Sequence, residues 1–206
     1  MVEFLKSINR NKKVTYFRSV FDWSFLLQIF KEEIMVNAFL KAVDKHVVAE
    51  STNLSATNYG RHIFNVKASE DIDNGKLVDI DKMKYEKNEY YTMVEPTATS
   101  RVGLILSVPI GADERPVTAT YESNFYNGKD EIMRVYELAP GDRFTISANG
   151  LDVTAQAAAV GKIVEADGYD IKVLTGDSTA TFYGEIIEVV KRTGGTFYKI
   201  IVRKNG

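Results

Sequence analysis

The 206-residue chain has no cysteine. That absence excludes disulfides, thiolate metal sites and cysteine nucleophiles. Histidine is nearly absent too, with only His46 and His62, so a multi-histidine zinc site is not expected. Neither sign of charge dominates: 26 basic residues face 28 acidic ones, for a net charge of -2. The basic excess or stripe of a general nucleic-acid binder is lacking, so no nucleic acid is expected among the partners. A long hydrophobic run is also missing. The longest apolar stretch in the first part of the chain, 21–30, is broken by Asp22, Ser24 and Gln28. It falls short of the roughly 20 apolar residues that cross a bilayer, and no membrane partner is expected. Glycine and proline are unevenly placed. All 14 Gly and all 4 Pro lie between Gly60 and Gly206, and residues 1–34 contain neither.

The first 34 residues instead carry 7 of the 23 aromatics, from Phe4 to Phe30. They make a poor secretory signal, because Arg18 and Asp22 interrupt the apolar part and no small-x-small cleavage site follows. Two readings stand for this segment. One is an aromatic amphipathic helix over about 17–30, which would need a partner for its apolar face. The other starts from Lys31-Glu32-Glu33-Ile34-Met35, which can be encoded as AAG GAG GAA ATT ATG. That stretch contains a purine-rich ribosome-binding sequence ahead of a start codon, so 1–34 would be an in-frame leader and the working protein would begin at Met35.

From Met35 onward the chain reads as strands between turns. Short apolar or alternating runs occur at 62–66, 77–80, 90–94, 102–108, 117–121, 132–138, 144–147, 163–165, 169–174, 181–191 and 196–203, each bounded by turn residues. Residues 102–108 (VGLILSV) are the most apolar and predict a strand buried on both sides. Asn127-Gly128 and Thr193-Gly194-Gly195 are hairpin-type sequences. Gly184 predicts a bulge or bend within 181–191. Helix is scarce: 36–48 fits a helix or an extended arm, and the Ala-rich 151–160 fits a short helix or a loop. A short echo, Gly-Lys-Leu-Val-Asp at 75–79 and Gly-Lys-Ile-Val-Glu at 161–165, fits a duplicated half-domain or, more simply, the way any strand starts after a turn. The fold class expected is mainly β, a compact β-barrel or sandwich-like domain with short helices and an N-terminal arm. The arm is placed at 35–66 and the β-rich domain at 67–206, with two packed lobes at about 67–148 and 149–206 as an option.

Few residues invite chemistry. G-x-S-x-G, H-E-x-x-H and the phosphate-loop pattern are all missing, and the Gly-Lys pairs at 75, 128 and 161 stand before strands rather than helices. Asp71, Asp73, Asp79 and Asp81 make two D-x-D pairs around one turn. They suit a hard cation or, more simply, a solvated acidic turn using local hydrogen bonds. His46 and His62 each need a partner to act as a base. Asp44, two residues before His46, lies on the same side only in a strand. Tyr85, Tyr90, Tyr91, Tyr121, Phe125 and Tyr126 suit either core packing or a stacking platform for sugars. No residue is assigned a catalytic, cofactor-binding or metal-binding role, and no cofactor is expected.

One resemblance goes further. The stretch 74–147 includes Asn74-Gly75-Lys76-Leu77-Val78, the apolar 102–108, and Phe125-Tyr126-Asn127-Gly128-Lys129. It closes on Arg134-x-Tyr136-x-Leu138-x-Pro140-Gly141-Asp142-x-Phe144-x-Ile146-Ser147. Together these segments resemble the capsid decoration, or auxiliary head, proteins of tailed bacteriophages. The resemblance implies a non-enzymatic virion protein that binds the outer capsid surface and reinforces the shell. The major capsid protein would be its partner, and it would form a homo-oligomer, with a trimer suiting a threefold position. It would be found on the virion, and in the host cytoplasm before assembly. The arm would then add a strand to a neighbour. Two other classes fit the residues: a carbohydrate-binding β module using the tyrosine cluster, and a small enzyme using acidic residues, with two carboxylates or His62 and a carboxylate converging in a pocket.

Overall fold

A computed structural model describes residues 46–59, 62–87, 89–109, 122–192 and 195–206. The readings for 1–34, for Asp44, for the first part of the arm and for the run 117–121 lie outside the described residues.

The described chain is mainly β, built as two sheets. The first has seven strands in the order β1 (Ala49–Asn53), β8 (Arg143–Ser147), β13 (Gly195–Asn205), β12 (Phe182–Arg192), β10 (Ile163–Asp167), β11 (Asp170–Val173) and β9 (Leu151–Asp152). The second has six, in the order β3 (Leu77–Asp79), β6 (Val102–Ile105), β7 (Ile132–Glu137), β2 (Ile63–Lys67), β5 (Tyr90–Thr92) and β4 (Tyr85–Glu86). Pairing is antiparallel except between β9 and β11 and between β2 and β5. The α-helix among the described residues is a short one, α1 (Ser55–Tyr59).

Alternation along the strands sorts the side chains into two apolar clusters. Leu77, Val102 and Leu104 of the six-stranded sheet pack with Phe144, Ile146, Phe182, Ile186 and Ile200 of the seven-stranded one. Their neighbours Val78 and Ile105 point the other way, into a second cluster with Val66, Ile72, Met93, Met133 and Val135. The six-stranded sheet is therefore apolar on both faces, and every residue of β6 is buried. That explains the continuous run at 102–105. The strand is shorter than the run, since Val108 is 65% exposed.

Two asparagine side chains extend this sheet by imitating backbone. Asn74 accepts from Ser107 N–H and donates to Ser107 C=O, each at 2.9 Å. Asn205, at the end of β13, accepts from Val102 N–H at 2.8 Å and donates to the carbonyls of Val102 and Leu138 at 2.8 and 2.6 Å. A residue of one sheet thus closes the backbone groups of the other, where an open carbonyl or amide would be costly.

The proline-glycine-aspartate run resolves into a corner. β7 belongs to the six-stranded sheet and β8 to the seven-stranded one, and the chain crosses between them at 138–142. Asp142 is buried and accepts three hydrogen bonds, from Ser55 N–H at 2.9 Å, Ser55 Oγ at 2.6 Å and Ala139 N–H at 2.8 Å. Gly141, at φ 94°, donates its N–H to Val202 C=O at 2.8 Å.

Several local expectations are settled. β12 and β13 pair antiparallel as expected, with Arg192 opposite Gly195, while residues 193 and 194 of the expected turn lie outside the described residues. The register of β12 slips between Tyr183 and Gly184, the bulge that Gly184 predicted. Residues 151–160 are a two-residue strand followed by a loop, not a helix. Asn127-Gly128 does not close a hairpin. Asn127 is buried in a bridge to Ile72, and the tight turn comes later, with Asp130 at φ 67°. From Ala49 onward, the stretch expected as an arm supplies two strands to the domain's own sheets. β1 pairs with β8, and β2 lies inside the six-stranded sheet between β7 and β5.

Candidate functional site

A groove of about 520 Å3 opens where the loop entering β3 meets the turn between β10 and β11. The Leu77 N–H donates to the Tyr169 carbonyl at 2.9 Å and ties the two segments together. Gly75 sits at φ 83°, a conformation that glycine adopts without penalty, and a Cβ there would come within 2.9 Å of Ile146 Cδ1. The chain therefore turns against the core and leaves residues 70–73 along the groove. Paired backbone bonds between Ile72 and Asn127, at 2.9 and 2.8 Å, bring Tyr126 to its wall.

His46 enters the groove from the segment before β1. Its Nδ1 lies 2.8 Å from Asp73 Oδ1, and Asp73 Oδ2 accepts the Val47 N–H at 3.0 Å. A carboxylate accepts, so Nδ1 is the donor of this pair, and Nε2 is the ring nitrogen that the pair leaves unused. The ring stacks on Tyr126, with centroids 5.1 Å apart and planes 22° apart. On the opposite wall Lys76 is bonded to Asp170. The Tyr169 phenol is held above its usual range by burial, with the Glu70 and Glu95 carboxylates adding to the effect. It stays a neutral hydroxyl across the physiological range.

The four aspartates have separate tasks. Asp71 Oδ1 accepts the Lys129 N–H at 2.8 Å, and Asp73 holds His46. Asp81 pairs with Arg101 at 3.4 Å. Asp79 is fully buried, not solvated as an acidic turn would leave it. It takes the N–H groups of Asp81 and Lys82 at 2.9 and 3.0 Å, the Ser100 hydroxyl, and Lys82 Nζ at 3.1 Å. Among the described residues no cluster of three or more metal-ligating side chains forms.

His62 lies elsewhere, at φ 64° on the entry to β2, with Nδ1 2.5 Å from Glu137 Oε2. Glu137 also takes Arg101 Nη2 at 2.8 Å. The aromatic set is divided rather than gathered. Tyr85 and Tyr91 join Phe64 across β4, β5 and β2, with Tyr91 edge-on to Phe64 at 87°. Tyr90 lies near Lys67, 5.8 Å from Nζ to ring, and Phe125 is buried. Tyr126 alone of the described members lines the groove, and Tyr121 lies outside the described residues. Sequence reasoning singled out His46, Asp73 and Tyr126 separately. It missed Glu70, Lys76, Tyr169 and Asp170, whose loop and turn positions carried no signal beyond ordinary strand-and-turn patterning.

Comparison with known proteins places the chain by family. The profile of the YonC prophage protein family matches residues 42–185. The chain belongs to that family. Its origin is therefore phage-related, the coarser part of what the resemblance at 74–147 implied. No curated protein and no solved structure matches the chain. Among the described residues no helix is long and apolar enough to cross a membrane.

Proposed function

We propose that this prophage-family protein is a non-enzymatic virion component that docks on the outer surface of the capsid and reinforces the shell. The observation that carries the reading is the run from Arg134 to Ser147, the part most like decoration proteins. Its proline, glycine and aspartate form the corner that binds one sheet to the other. Residues spent on a rigid body suit a protein whose work is to hold its shape against a neighbour. A contact face is at hand. Val108 and Ile132 stand at the same end of the β6–β7 pair, 65% and 51% exposed, and exposed apolar side chains next to each other favour association.

The purified chain is expected to co-sediment with phage capsids. The double variant Val108→Asp, Ile132→Lys is expected to lose that association while keeping its circular dichroism and melting temperature. Failure of the unmodified chain to sediment with either expanded or unexpanded shells overturns the proposal. Truncations that test an arm should stop before His46, because removal of 36–60 would also take β1, the buried Leu54 and the Ser55 contacts to Asp142.

A further inference from the structure

We propose that the groove beside His46 is a carbohydrate-binding site that takes a neutral oligosaccharide. The inference is independent of capsid binding, and either can fail without the other.

The groove has the volume of a small-molecule pocket, within the roughly 300–1,000 Å3 typical of them. Its chemistry narrows the ligand. Four carboxylates, Glu70, Asp71, Asp73 and Asp170, line it against one lysine, Lys76, so an anion would be repelled. A cation would find three of those carboxylates already engaged. Asp73 holds His46 and the Val47 amide, Asp71 accepts the Lys129 amide, and Asp170 is paired with Lys76. A cationic ligand at Asp170 would have to displace Lys76. A neutral ligand rich in hydroxyls meets no such cost. Its O–H groups find acceptors in the outward carboxylate lone pairs, and His46 Nε2, the ring nitrogen not bonded to Asp73, is a further polar contact. The Lys76 ammonium and the neutral Tyr169 phenol supply donors. Tyr126, half-buried on the groove wall and held by its stacking on His46, is the ring that would pack on the C–H face of a sugar.

The test is titration of the full chain, uniformly labelled with nitrogen-15, with maltotriose, cellotriose and chitotriose up to about 20 mM, the weak-affinity range where pocket binding of one small ligand is read. At least one triose is expected to shift the amide signals of His46, Asp73, Lys76 and Tyr169 together. Tyr126→Ala is expected to weaken binding about tenfold and Tyr126→Phe to preserve it, since the ring provides the stacking. Tyr85→Ala, on the far edge of the six-stranded sheet, is expected to change nothing. Asp71→Asn keeps the acceptor for Lys129 and removes one acceptor from the groove, so it reports even where the alanine variant folds poorly. Three outcomes overturn the proposal: no shift with any triose, shifts that map away from the groove, or shifts produced by arginine amide and not by the sugars.

Discussion

Asp79 has no exposed surface, and its carboxylate is nonetheless ionised within a strand. Burial pushes its pKa upward. The Ser100 hydroxyl, the Lys82 ammonium and the two backbone amides outweigh that, and hold it below the ordinary 3.8. A carboxyl with a lower pKa folded than unfolded stabilises the fold fully above the ordinary value. That contribution drains away as pH falls through the lower, folded value. Asp79→Asn is therefore expected to lose about 1–3 kcal/mol at neutral pH, and the deficit should narrow at about pH 3, below the unfolded carboxylate range. Urea melts at the two pH values check this, and an equal deficit at both would show that the charge is not the cause. The same aspartate marks a limit of sequence reading. A D-x-D pair beside a turn looks solvated, because the burial of Asp79 involves Ser100, 21 residues away and brought near by the β3–β6 pairing. His46 fails in the same way. Its partner is 27 residues away, and only the loop geometry around Gly75 brings it near.

The longer strands were legible because their residues alternate or run apolar between clear turns. β6, β7, β8, β12 and β13 are all where the pattern puts them, to within a few residues. β4 and β9 are two residues each, too short to establish a period. β1 has mostly exposed side chains, Ala49–Asn53, and owes its conformation to β8. Gly103 shows how closely the elements fit. A Cβ added there would stand 2.5 Å from Val135 Cγ1 and 2.9 Å from Ile80 Cγ2. Gly103→Ala is expected to lower stability by about 1–3 kcal/mol through overpacking. Gly176→Ala, with nothing within 4 Å of the added carbon, should leave the melting temperature unchanged. Similar thermal melts for the two variants would contradict this account of β6 packing.

At the scale of the whole molecule, the described residues of this prophage-family chain form a sandwich-like β body of two sheets. The capsid and sugar experiments address different surfaces, the β6–β7 end and the groove, so a variant at one should leave the other intact. The chain order of the seven-stranded sheet has a further consequence. β13 is the last described strand in sequence, yet it lies between β8 and β12, and its Asn205 closes the backbone of β6 103 residues earlier. During synthesis, the β1–β8 pair and the β12–β10–β11–β9 ribbon can form only as separate pieces with open edges until β13 leaves the ribosome. The six-stranded sheet is complete earlier in the chain, but the seven-stranded one is joined only in this late step, slowed by the long loops it must close. A fragment ending at Arg192 is expected to lose the seven-stranded sheet and to aggregate through its unpaired edges, which light scattering and amide exchange would register. Loss of β13 alone would thus leave a sticky chain rather than a slightly weakened one.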